Sequence, residues 1–436
     1  MSSALHIVIL TPGTGGWYCG ACMRDNALAK SLHAAGHRAS LLPMYLPLTL
    51  DEEELETPRA ASVFFGGINI WLQQKFSFFR HTPSWFDRML DSPWMLRGAA
   101  KFSHMTSAHD HGELTLAMLR LEESRLGKEL KKLRMWLVRE APDVLVLSTA
   151  LQAGMIRELK RHLRAKIICC FQGEDSFLDG LPEPWRGECW RELALRVREA
   201  DALVSPSAFY ADLMRQRLGP ENLTIQVIPN GVDTNVYAPD GLKPGPPVIG
   251  YLARMSHQKG LDIMVEAFVH LRTVLGHSSA QLHLAGAATE ENEPLITELK
   301  QRLATAGLAG DVTWSPNITR AEKTALLGGL TLFSVPAVYP EAFGLYLIEA
   351  MAAGIPVVQP SSASFPEILG KAGAGVLVPP GDPVALAQAW HRLLGQPDEL
   401  RRMRETSRRA AVEFYDVAVM RAGFVALAGD ILRVAD

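Results

Sequence analysis

The sequence lacks the features that mark membrane-spanning, secreted and nucleic-acid-binding proteins. It contains no uncharged apolar run of about 18 residues, the length at which a helix begins to span a bilayer. Residues 1–10 have neither the basic start nor the long apolar stretch of a signal peptide. Lysine plus arginine number 44 and aspartate plus glutamate 47, so the basic excess of a nucleic-acid binder is missing. We therefore expect a cytoplasmic protein without a nucleic-acid partner.

Cysteine is also scarce, with five residues in a chain of 436. A small, odd number excludes a disulfide scaffold and is typical of a reducing compartment. Cys19 and Cys22 are spaced as C-x-x-C, but no second pair of zinc ligands has a matching spacing. We interpret them as small residues where a loop enters a helix. The chain also contains no Asp-x-Asp pair, the usual carboxylate cluster around magnesium and a diphosphate, so we predict that no metal is bound.

The sequence does contain a repeated alternation of short apolar runs with helical patterns. In the first half, the alternation predicts a helix over 21–35 and strands at 5–10, 39–44, 144–147, 166–171, 202–205 and 225–228. In the second half, it predicts strands at 248–252, 281–285, 330–335 and 356–359. Helices are predicted there at 261–275, 294–306, 343–353, 383–394, 397–413 and 416–434. Strands that alternate with helices form a parallel sheet covered on both faces.

The alternation is interrupted by a segment, 237–247, that contains four prolines and two glycines and is typical of a linker. We therefore predict two α/β domains, each a doubly wound, Rossmann-like fold, that face a central cleft. The expected bounds are 1–235 for the first domain, 236–247 for the linker, 248–413 for the second domain and 414–436 for a final helix.

A second interruption lies at 60–110, which looks like an insertion and holds ten aromatic residues. One interpretation is a small additional core under loops. The alternatives are a pocket for an acceptor or a patch that faces a membrane.

The residues that indicate chemistry cluster in the second half. Glu341 follows a predicted strand and precedes a helix expected to begin near Phe343, and a helix N-terminus favours phosphate. Gly344 lets the backbone approach a ligand closely. Glu349 lies two turns into the same helix, where a carboxylate can bind a cis-diol such as ribose.

Two cations are expected at the same edge of the sheet. Arg254 and Lys259 lie in the turn after the first strand of the second domain. Ligands of doubly wound sheets bind at the carboxyl ends of the strands, so this turn faces the same crevice as Glu341. Two cations there can neutralise a diphosphate without a metal.

Together with the neighbouring motifs, these residues make the stretch from Val248 to about Leu394 resemble the C-terminal domain of family 4 (group 1) glycosyltransferases. These enzymes have the two-domain GT-B fold. The resemblance is carried by these pieces, in this order: 250–254, 259–262, 282–286, 341–344, 349–358, 366–367 and 375–382. The first half is similar more loosely, through Gly15-Gly16, 35–37 and 228–233.

The resemblance implies a retaining transfer of a sugar from a UDP-, GDP- or ADP-sugar to a carbohydrate, lipid or small-molecule acceptor, with no permanently bound cofactor. It implies that Arg254 and Lys259 bind the diphosphate, that Glu341 binds the donor sugar and that Glu349 binds the ribose. The other residues it assigns to the donor site are Gly15, Gly16, Gly286, Asn317, Ile318, Phe343, Gly344 and Leu345. It also implies that the first domain binds the acceptor and that the final helix crosses back onto that domain.

One position departs from the family's pattern. Similar enzymes often have a histidine before the glycine in the loop after the middle strand of the first domain, whereas this chain has Gln172 before Gly173. A glutamine hydrogen-bonds a hydroxyl but cannot act as a general base. Glu174 and Asp175 are lesser candidates for that position's role.

Three other functions stay open at this point. An NAD-dependent oxidoreductase is disfavoured because the first glycine turn, 12–18, does not have the spacing G-x-G-x-x-G. The others are a non-catalytic nucleotide-sugar-binding protein and a different GT-B enzyme, such as an epimerase or a phosphorylase. Separately, a basic amphipathic helix expected over Arg120–Glu140 raises peripheral membrane contact as an alternative to an ordinary sheet-covering helix.

Overall fold

A computed structural model describes the chain over residues 4–13, 20–45, 108–121, 127–219, 223–237 and 245–433. The chain divides into two compact units. The first comprises Met1–Ile228 with Met420–Asp436, and the second comprises Pro229–Val419. Each unit contains a six-stranded parallel sheet with helices between its strands. The prediction of two parallel-sheet α/β domains is therefore confirmed.

The sheet of the first unit has the strand order β2-β1-β3-β4-β5-β6. Its strands are β1 His6–Thr11, β2 Arg38–Pro43, β3 Val144–Leu147, β4 Lys166–Cys170, β5 Ala202–Ser205 and β6 Ile225–Val227. Its helices include α1 Gly20–Ala34, α2 Ala108–Leu119, α3 Gly127–Glu140, α4 Ile156–His162, α5 Glu174–Asp179, α6 Trp185–Arg196 and α7 Ala208–Leu218. Every residue of β1 and β3 is buried, as expected for central strands covered on both faces.

The sheet of the second unit has the strand order β12-β11-β10-β7-β8-β9. Its strands are β7 Val248–Leu252, β8 Gln281–Gly286, β9 Val312–Pro316, β10 Leu332–Phe333, β11 Val357–Pro360 and β12 Gly375–Val378. Its helices include α8 Leu261–Thr273, α9 Glu293–Thr305, α10 Arg320–Gly329, α11 Leu345–Ala352, α12 Phe365–Ala372, α13 Pro383–Leu394 and α14 Pro397–Phe414. The last helix, α15 Val417–Arg433, continues into the first unit, where Arg421 donates to the hydroxyl of Ser31 at 3.1 Å.

Local sequence determines where several of these helices begin. The hydroxyl of Ser207 accepts from the backbone of Tyr210 at the start of α7. Asp382 accepts from the backbone of Ala385 at the start of α13. Side-chain acceptors satisfy backbone donors that have no partner inside the helix, so serine and aspartate are preferred at this position.

Several elements differ from the sequence-based prediction, and strand β12 with helices α10 and α12 was not predicted. The helix expected over Arg120–Glu140 is confirmed over Gly127–Glu140 as α3, whereas Arg120 forms a turn after α2, which ends at Leu119. The helix expected near Phe343 begins at Leu345, because Gly344 has φ +86° and lies outside the helical region. Strand β9 was not predicted, since its residues are partly exposed and form no apolar run.

The boundary between the units falls before residue 235, the expected end of the first domain. Val232 pairs with the chain just after α14, where its N–H donates to the Tyr415 carbonyl at 3.0 Å and its carbonyl accepts from Val417 at 2.9 Å. The Thr234 hydroxyl donates to Asp416 at 2.5 Å. The segment that follows Ile228 therefore packs as part of the second unit.

Several sequence-based expectations fall on residues that are not described. Gly15, Gly16 and Cys19 lie outside the described residues, as do most of the aromatic-rich segment 60–110 and positions 238–244 of the expected linker. The described helices include none that combines the length and the apolar character needed to cross a membrane.

The apolar face of α3 packs into the first unit. Its leucines Leu130, Leu133 and Leu137 are buried. Arg134 donates to Glu158 at 2.6 Å, on the neighbouring helix α4. An amphipathic helix binds a bilayer through its apolar face. The leucine face of α3 instead packs inward, as in a helix that covers a sheet.

Candidate functional site

The candidate site of the second unit lies at the carboxyl ends of β7 and β10. The two strands are adjacent and parallel, with Phe333 opposite Gly250. Arg254 and Lys259 follow β7, and Glu341 follows β10. Because the carboxyl ends of neighbouring parallel strands form the ligand-binding edge of such sheets, the predicted cations and carboxylate occupy one edge.

Lys259 and Glu341 form an ion pair between two tyrosines. The ammonium group of Lys259 donates to Oε2 of Glu341 and, at 3.0 Å, to the hydroxyl of Tyr339. The hydroxyls of Tyr339 and Tyr346 donate to Glu341 at 2.7 and 2.8 Å. The same ammonium lies 4.6 and 5.3 Å from the centroids of the two tyrosine rings, within cation–π range. The carboxylate is thus held by three donors in a mostly buried position.

The hydroxyls of Tyr346 and Tyr251 remain protonated. Burial and the charge of Glu341 raise the pKa of Tyr346 well above its ordinary value. Burial, with the charges of Asp262 and Glu341, likewise raises the pKa of Tyr251, whose hydroxyl donates to the backbone carbonyl of Arg254 at 2.7 Å. Both hydroxyls therefore act as donors at neutral pH, and Tyr251 fixes the turn that carries Arg254.

The backbone around Lys259 requires a glycine. Gly260 has φ +68°, and a Cβ there would lie 1.9 Å from the carbonyl oxygen of Pro336. The turn after β7 therefore packs directly against the segment that follows β10. This close approach brings Lys259 within reach of Glu341, although the side chain of Arg254 is exposed and is joined to neither by a hydrogen bond among the described residues.

Helix α11 begins at Leu345, four residues after Glu341. Its cap residue, Gly344, has no side chain to accept from the first turn of the helix. The carbonyl of Phe343 accepts from the buried Ser364 hydroxyl at 3.1 Å, which holds this segment against α12. Backbone N–H groups at a helix start attract anions, so phosphate binding here is chemically reasonable beside Lys259.

Glu349, the second predicted carboxylate, is buried and already has partners. Its Oε1 accepts from the ammonium of Lys323 at 2.8 Å and from the hydroxyl of Tyr237 at 2.8 Å. Sequence analysis missed both partners. The pattern Thr319-x-x-Glu322 was the available signal, because it forms a capping box that begins α10 and places Lys323 in its first turn.

The residues expected around a nucleoside base meet at the ends of β8 and β9. Gly286 has φ +136°, and a Cβ there would lie 1.8 Å from the Ala253 carbonyl oxygen. Asn317 donates through its backbone to Gly286 at 2.8 Å. Its side-chain oxygen accepts from the N–H of Ala288, and its side-chain nitrogen donates to the carbonyl of Ala288, each at 3.0 Å. The Asn317 side chain is therefore structural, and Ile318 follows it directly.

In the first unit, Gln172 lies in a loop that is organised by Glu174. The Glu174 carboxylate accepts from the N–H groups of Gln172 at 2.8 Å, Gly173 at 3.1 Å and Ala150 at 2.9 Å. It also accepts from the hydroxyl of Thr149 at 2.7 Å, and the hydroxyl oxygen of Tyr210 lies 3.2 Å from it. The carboxylate of Glu174 is thus hydrogen-bonded to groups of the protein itself. Asp175 is also occupied, since it accepts from Tyr210 at 2.8 Å.

A buried ion pair lies near this loop and was not predicted. Arg24 and Asp25 of α1 are paired at 2.9 Å, with side chains 1% and 0% exposed. Arg24 also donates to the carbonyl and hydroxyl of Ser148, both at 3.3 Å, directly after β3. Burial raises the pKa of Asp25, while the charge of Arg24 opposes that shift. The pair links α1 to the carboxyl end of the first sheet.

Family models match most of the described chain. The model for group 1 glycosyl transferases matches residues 235–410, and the model for glycosyltransferase family 4 matches residues 109–236. Two parallel α/β units of this kind define the class of two-domain, doubly wound proteins. The chain belongs to the group 1, family 4 glycosyltransferases.

Individual relatives agree with this membership. The chain is 30% identical to the MMP alpha-(1->4)-mannosyltransferase of Mycolicibacterium hassiacum over 56% of its own length and 57% of the relative's. It is 27% identical to the phosphatidyl-myo-inositol mannosyltransferase of Mycobacterium leprae over 70% of its own length and 75% of the relative's. With a glycogen synthase of Mycobacterium tuberculosis, 29% identical, the match covers 50% of this chain and 52% of the relative. The chain therefore spans little more than half the length of several curated relatives.

Solved structures share the fold. Sucrose-phosphate synthase from Thermosynechococcus elongatus superposes with a TM-score of 0.71 at 16% identity, covering 99% of this chain and 100% of that one. Anabaena HepE, in complex with UDP and glucose, superposes with a TM-score of 0.64 at 18% identity, covering 98% and 99%. At these identities the likeness establishes the GT-B type of fold.

Proposed function

We propose that the protein transfers a sugar from a nucleoside diphosphate sugar to a carbohydrate, lipid or small-molecule acceptor, with retention of anomeric configuration and without a metal. The observation that carries this proposal is the Lys259–Glu341 pair beside the uncapped start of α11. A cation, a carboxylate held by hydroxyl groups and free backbone donors are the groups that a sugar diphosphate needs.

The leaving diphosphate is the group whose charge must be stabilised. Lys259 and Arg254 supply positive charge, and the backbone N–H groups of Phe343, Gly344 and Leu345 supply donors. Preorganised groups of this kind contribute about 3–4 kcal/mol each to the transition state, by analogy with oxyanion donors. Two cations and a helix start therefore take the role that a divalent metal plays elsewhere, and we propose a metal-independent reaction on that basis.

The two carboxylates have separate roles in this proposal. Glu341 accepts from hydroxyls of the donor sugar, and Glu349 accepts from the ribose. Gly286, Asn317 and Ile318 surround the base through their backbone. In the first unit, Gln172 hydrogen-bonds a sugar hydroxyl.

The chemical step needs no protein base. The bond between the sugar C1 and the diphosphate oxygen breaks, and the acceptor oxygen bonds to C1 on the same face. The acceptor proton passes to an oxygen of the leaving diphosphate. This route agrees with Gln172, which cannot take a proton. Before the reaction, Lys259 is hydrogen-bonded to Glu341. As negative charge develops on the leaving diphosphate, the Lys259 ammonium contacts it.

Binding of the donor tests the site first. Purified protein is melted with UDP, GDP, ADP, their sugar conjugates and NAD, beside Arg254→Ala and the surface control Arg401→Ala, whose native side chain is 63% exposed. A ligand at about 100 times its dissociation constant adds roughly 2.7 kcal/mol and raises the melting temperature by a few degrees. We expect a shift with one nucleoside diphosphate that Arg254→Ala reduces and Arg401→Ala retains. A shift with NAD alone overturns the proposal.

Transfer is then tested with the nucleotide sugar that binds. NMR of the product is expected to show the donor's anomeric configuration, and turnover is expected to be unchanged by a chelator. An inverted product contradicts retention, and activity lost with the chelator and restored by a metal contradicts metal independence. Hydrolysis or epimerisation without transfer across an acceptor panel indicates another GT-B reaction.

A further inference from the structure

Glu349 is held by two side chains from other parts of the second unit. Lys323 comes from α10, and Tyr237 comes from the segment that precedes β7. We propose that Lys323 and Tyr237 are positioning residues that orient Glu349 toward the ribose, and that this set selects ribonucleotide over deoxyribonucleotide donors. The inference rests on the proposed function, because it adds two positioning residues to the same nucleotide-sugar site.

Both partners of Glu349 donate to the same carboxylate oxygen. Lys323 and Tyr237 each donate to Oε1 of Glu349, at 2.8 Å and 2.8 Å. Neither of them uses Oε2, so that oxygen keeps its lone pairs for another donor. Two donors that converge on one carboxylate oxygen also restrict rotation of the group. A ribose hydroxyl therefore meets an acceptor whose direction is already set.

Lys323 pairs with Glu349 in a mostly buried position. The side chains of Lys323 and Glu349 are only 10% and 8% exposed. A buried carboxylate without a compensating charge favours its neutral form. Hydrogen bonds to an ionised acceptor are roughly twice as strong as those between neutral groups. Lys323 thus supplies the compensating positive charge beside Glu349 in this buried position.

The position of Tyr237 is itself fixed by Arg408. The guanidinium of Arg408 donates to the carbonyls of Thr234 at 2.6 Å and Tyr237 at 3.3 Å. It also donates to the carbonyl of Ala352, the last residue of α11, at 2.7 Å. One side chain of α14 therefore ties the Tyr237 segment to the helix that carries Glu349. Such support is what keeps a binding carboxylate in one geometry.

The test measures discrimination rather than affinity alone. Dissociation constants are measured for whichever of UDP, GDP or ADP binds and for its 2′-deoxy counterpart. The proteins are the native chain, Glu349→Gln, Lys323→Met, Lys323→Arg and Tyr237→Phe. We expect the native chain to prefer the ribonucleotide by about 10- to 100-fold, the range for one hydrogen bond to a charged group.

Lys323→Met is expected to lose most of that preference while the deoxynucleotide binds nearly as before. Lys323→Arg, which retains the charge, is expected to restore it in part, and Tyr237→Phe is expected to reduce it less. Equal weakening of both nucleotides in Lys323→Met, with the preference retained, overturns the inference and leaves Lys323 a merely structural residue. If Lys323→Met does not fold, Tyr237→Phe decides, and an unchanged preference there overturns the inference.

Failure of the proposed function has a different signature. If the native chain shows no preference, or if Glu349→Gln keeps the full preference, then the Glu349 carboxylate does not bind the 2′-hydroxyl of the ribose, and that part of the proposed function fails. If Glu349→Gln loses the preference but the Lys323 and Tyr237 variants keep it, only the positioning role fails.

Discussion

Lys259 and Glu341, 82 residues apart in the chain, form a mostly buried ion pair at the carboxyl edge of the second sheet. The pair has two consequences. It balances the charge of the Glu341 carboxylate when no nucleotide sugar is bound, and it holds the Lys259 ammonium next to the start of α11. Lys259 is thus ordered before a diphosphate arrives, which reduces the entropic cost of binding.

Replacement of Lys259 should reduce turnover. We expect Lys259→Met to reduce kcat by about a hundredfold, since it removes charge stabilisation at the leaving group. Because Lys259 and Glu341 act as a unit, Lys259→Met combined with Glu341→Gln should reduce kcat by less than the product of the two single effects. The measurement is steady-state kinetics with Arg401→Ala as control. Near-native kcat in Lys259→Met would falsify the role.

Gly260 should be needed for both stability and activity. A Cβ at this position meets the Pro336 carbonyl oxygen at 1.9 Å, whereas a Cβ at Gly276, where φ is +76°, would have no neighbour within 4 Å. Gly276→Ala therefore carries only the backbone strain, about 1 kcal/mol. Gly260→Ala should lower the free energy of unfolding by more and should also reduce turnover. Urea unfolding and kinetics of both variants check this, and equal effects would refute the close-packing argument.

Glu174 should be a stability residue rather than a catalytic one. Its carboxylate accepts from three backbone N–H groups and the Thr149 hydroxyl, so Glu174→Ala leaves several buried donors without partners. At about 1–3 kcal/mol for each unsatisfied group, we expect a loss of at least about 3 kcal/mol of unfolding free energy. The control is Asp212→Ala, whose native side chain is 66% exposed. A loss no larger than the control's would contradict the assignment.

His283 should make the second unit less stable in acid. Burial lowers the pKa of His283, and one ring nitrogen lies 2.9 Å from the Ser315 hydroxyl. As pH falls below the unfolded value near 6.5, the unfolded chain takes up a proton before the folded one does. The stability from this residue is therefore present above that pH and is lost as pH falls through the folded pKa. Urea unfolding at pH 7.5 and pH 5 should show a smaller pH dependence in His283→Gln than in the native chain.

Much of the fold followed from local patterns. The strands at 144–147, 202–205 and 248–252 have the predicted bounds, because buried parallel strands are continuous apolar runs bounded by polar turns. Strand β9 was missed for the complementary reason, since an edge strand with partly exposed residues has no such run. The helix α11 was placed two residues early, because nothing local required Gly344 to adopt a positive φ.

The candidate site was predicted in outline only. Sequence motifs indicated Lys259, Glu341 and Glu349 by type and order, and the structure brings the first two together. They did not indicate Lys323 and Tyr237, which bond Glu349, or the occupation of Glu174 by its own loop. A side chain's partner depends on which elements lie side by side, and spacing along the chain does not record that.

The sequence by itself therefore determined the two parallel sheets and the chemical types at their carboxyl edges, because hydrophobic periodicity and turn residues act locally. Only the tertiary structure decided which charges meet. Lys259 reaches Glu341 because β7 and β10 are neighbours in the sheet, and Lys323 reaches Glu349 because α10 and α11 flank the same strand, β10, along the chain. Burial then gives those pairs their importance, since a charge removed from water requires a partner.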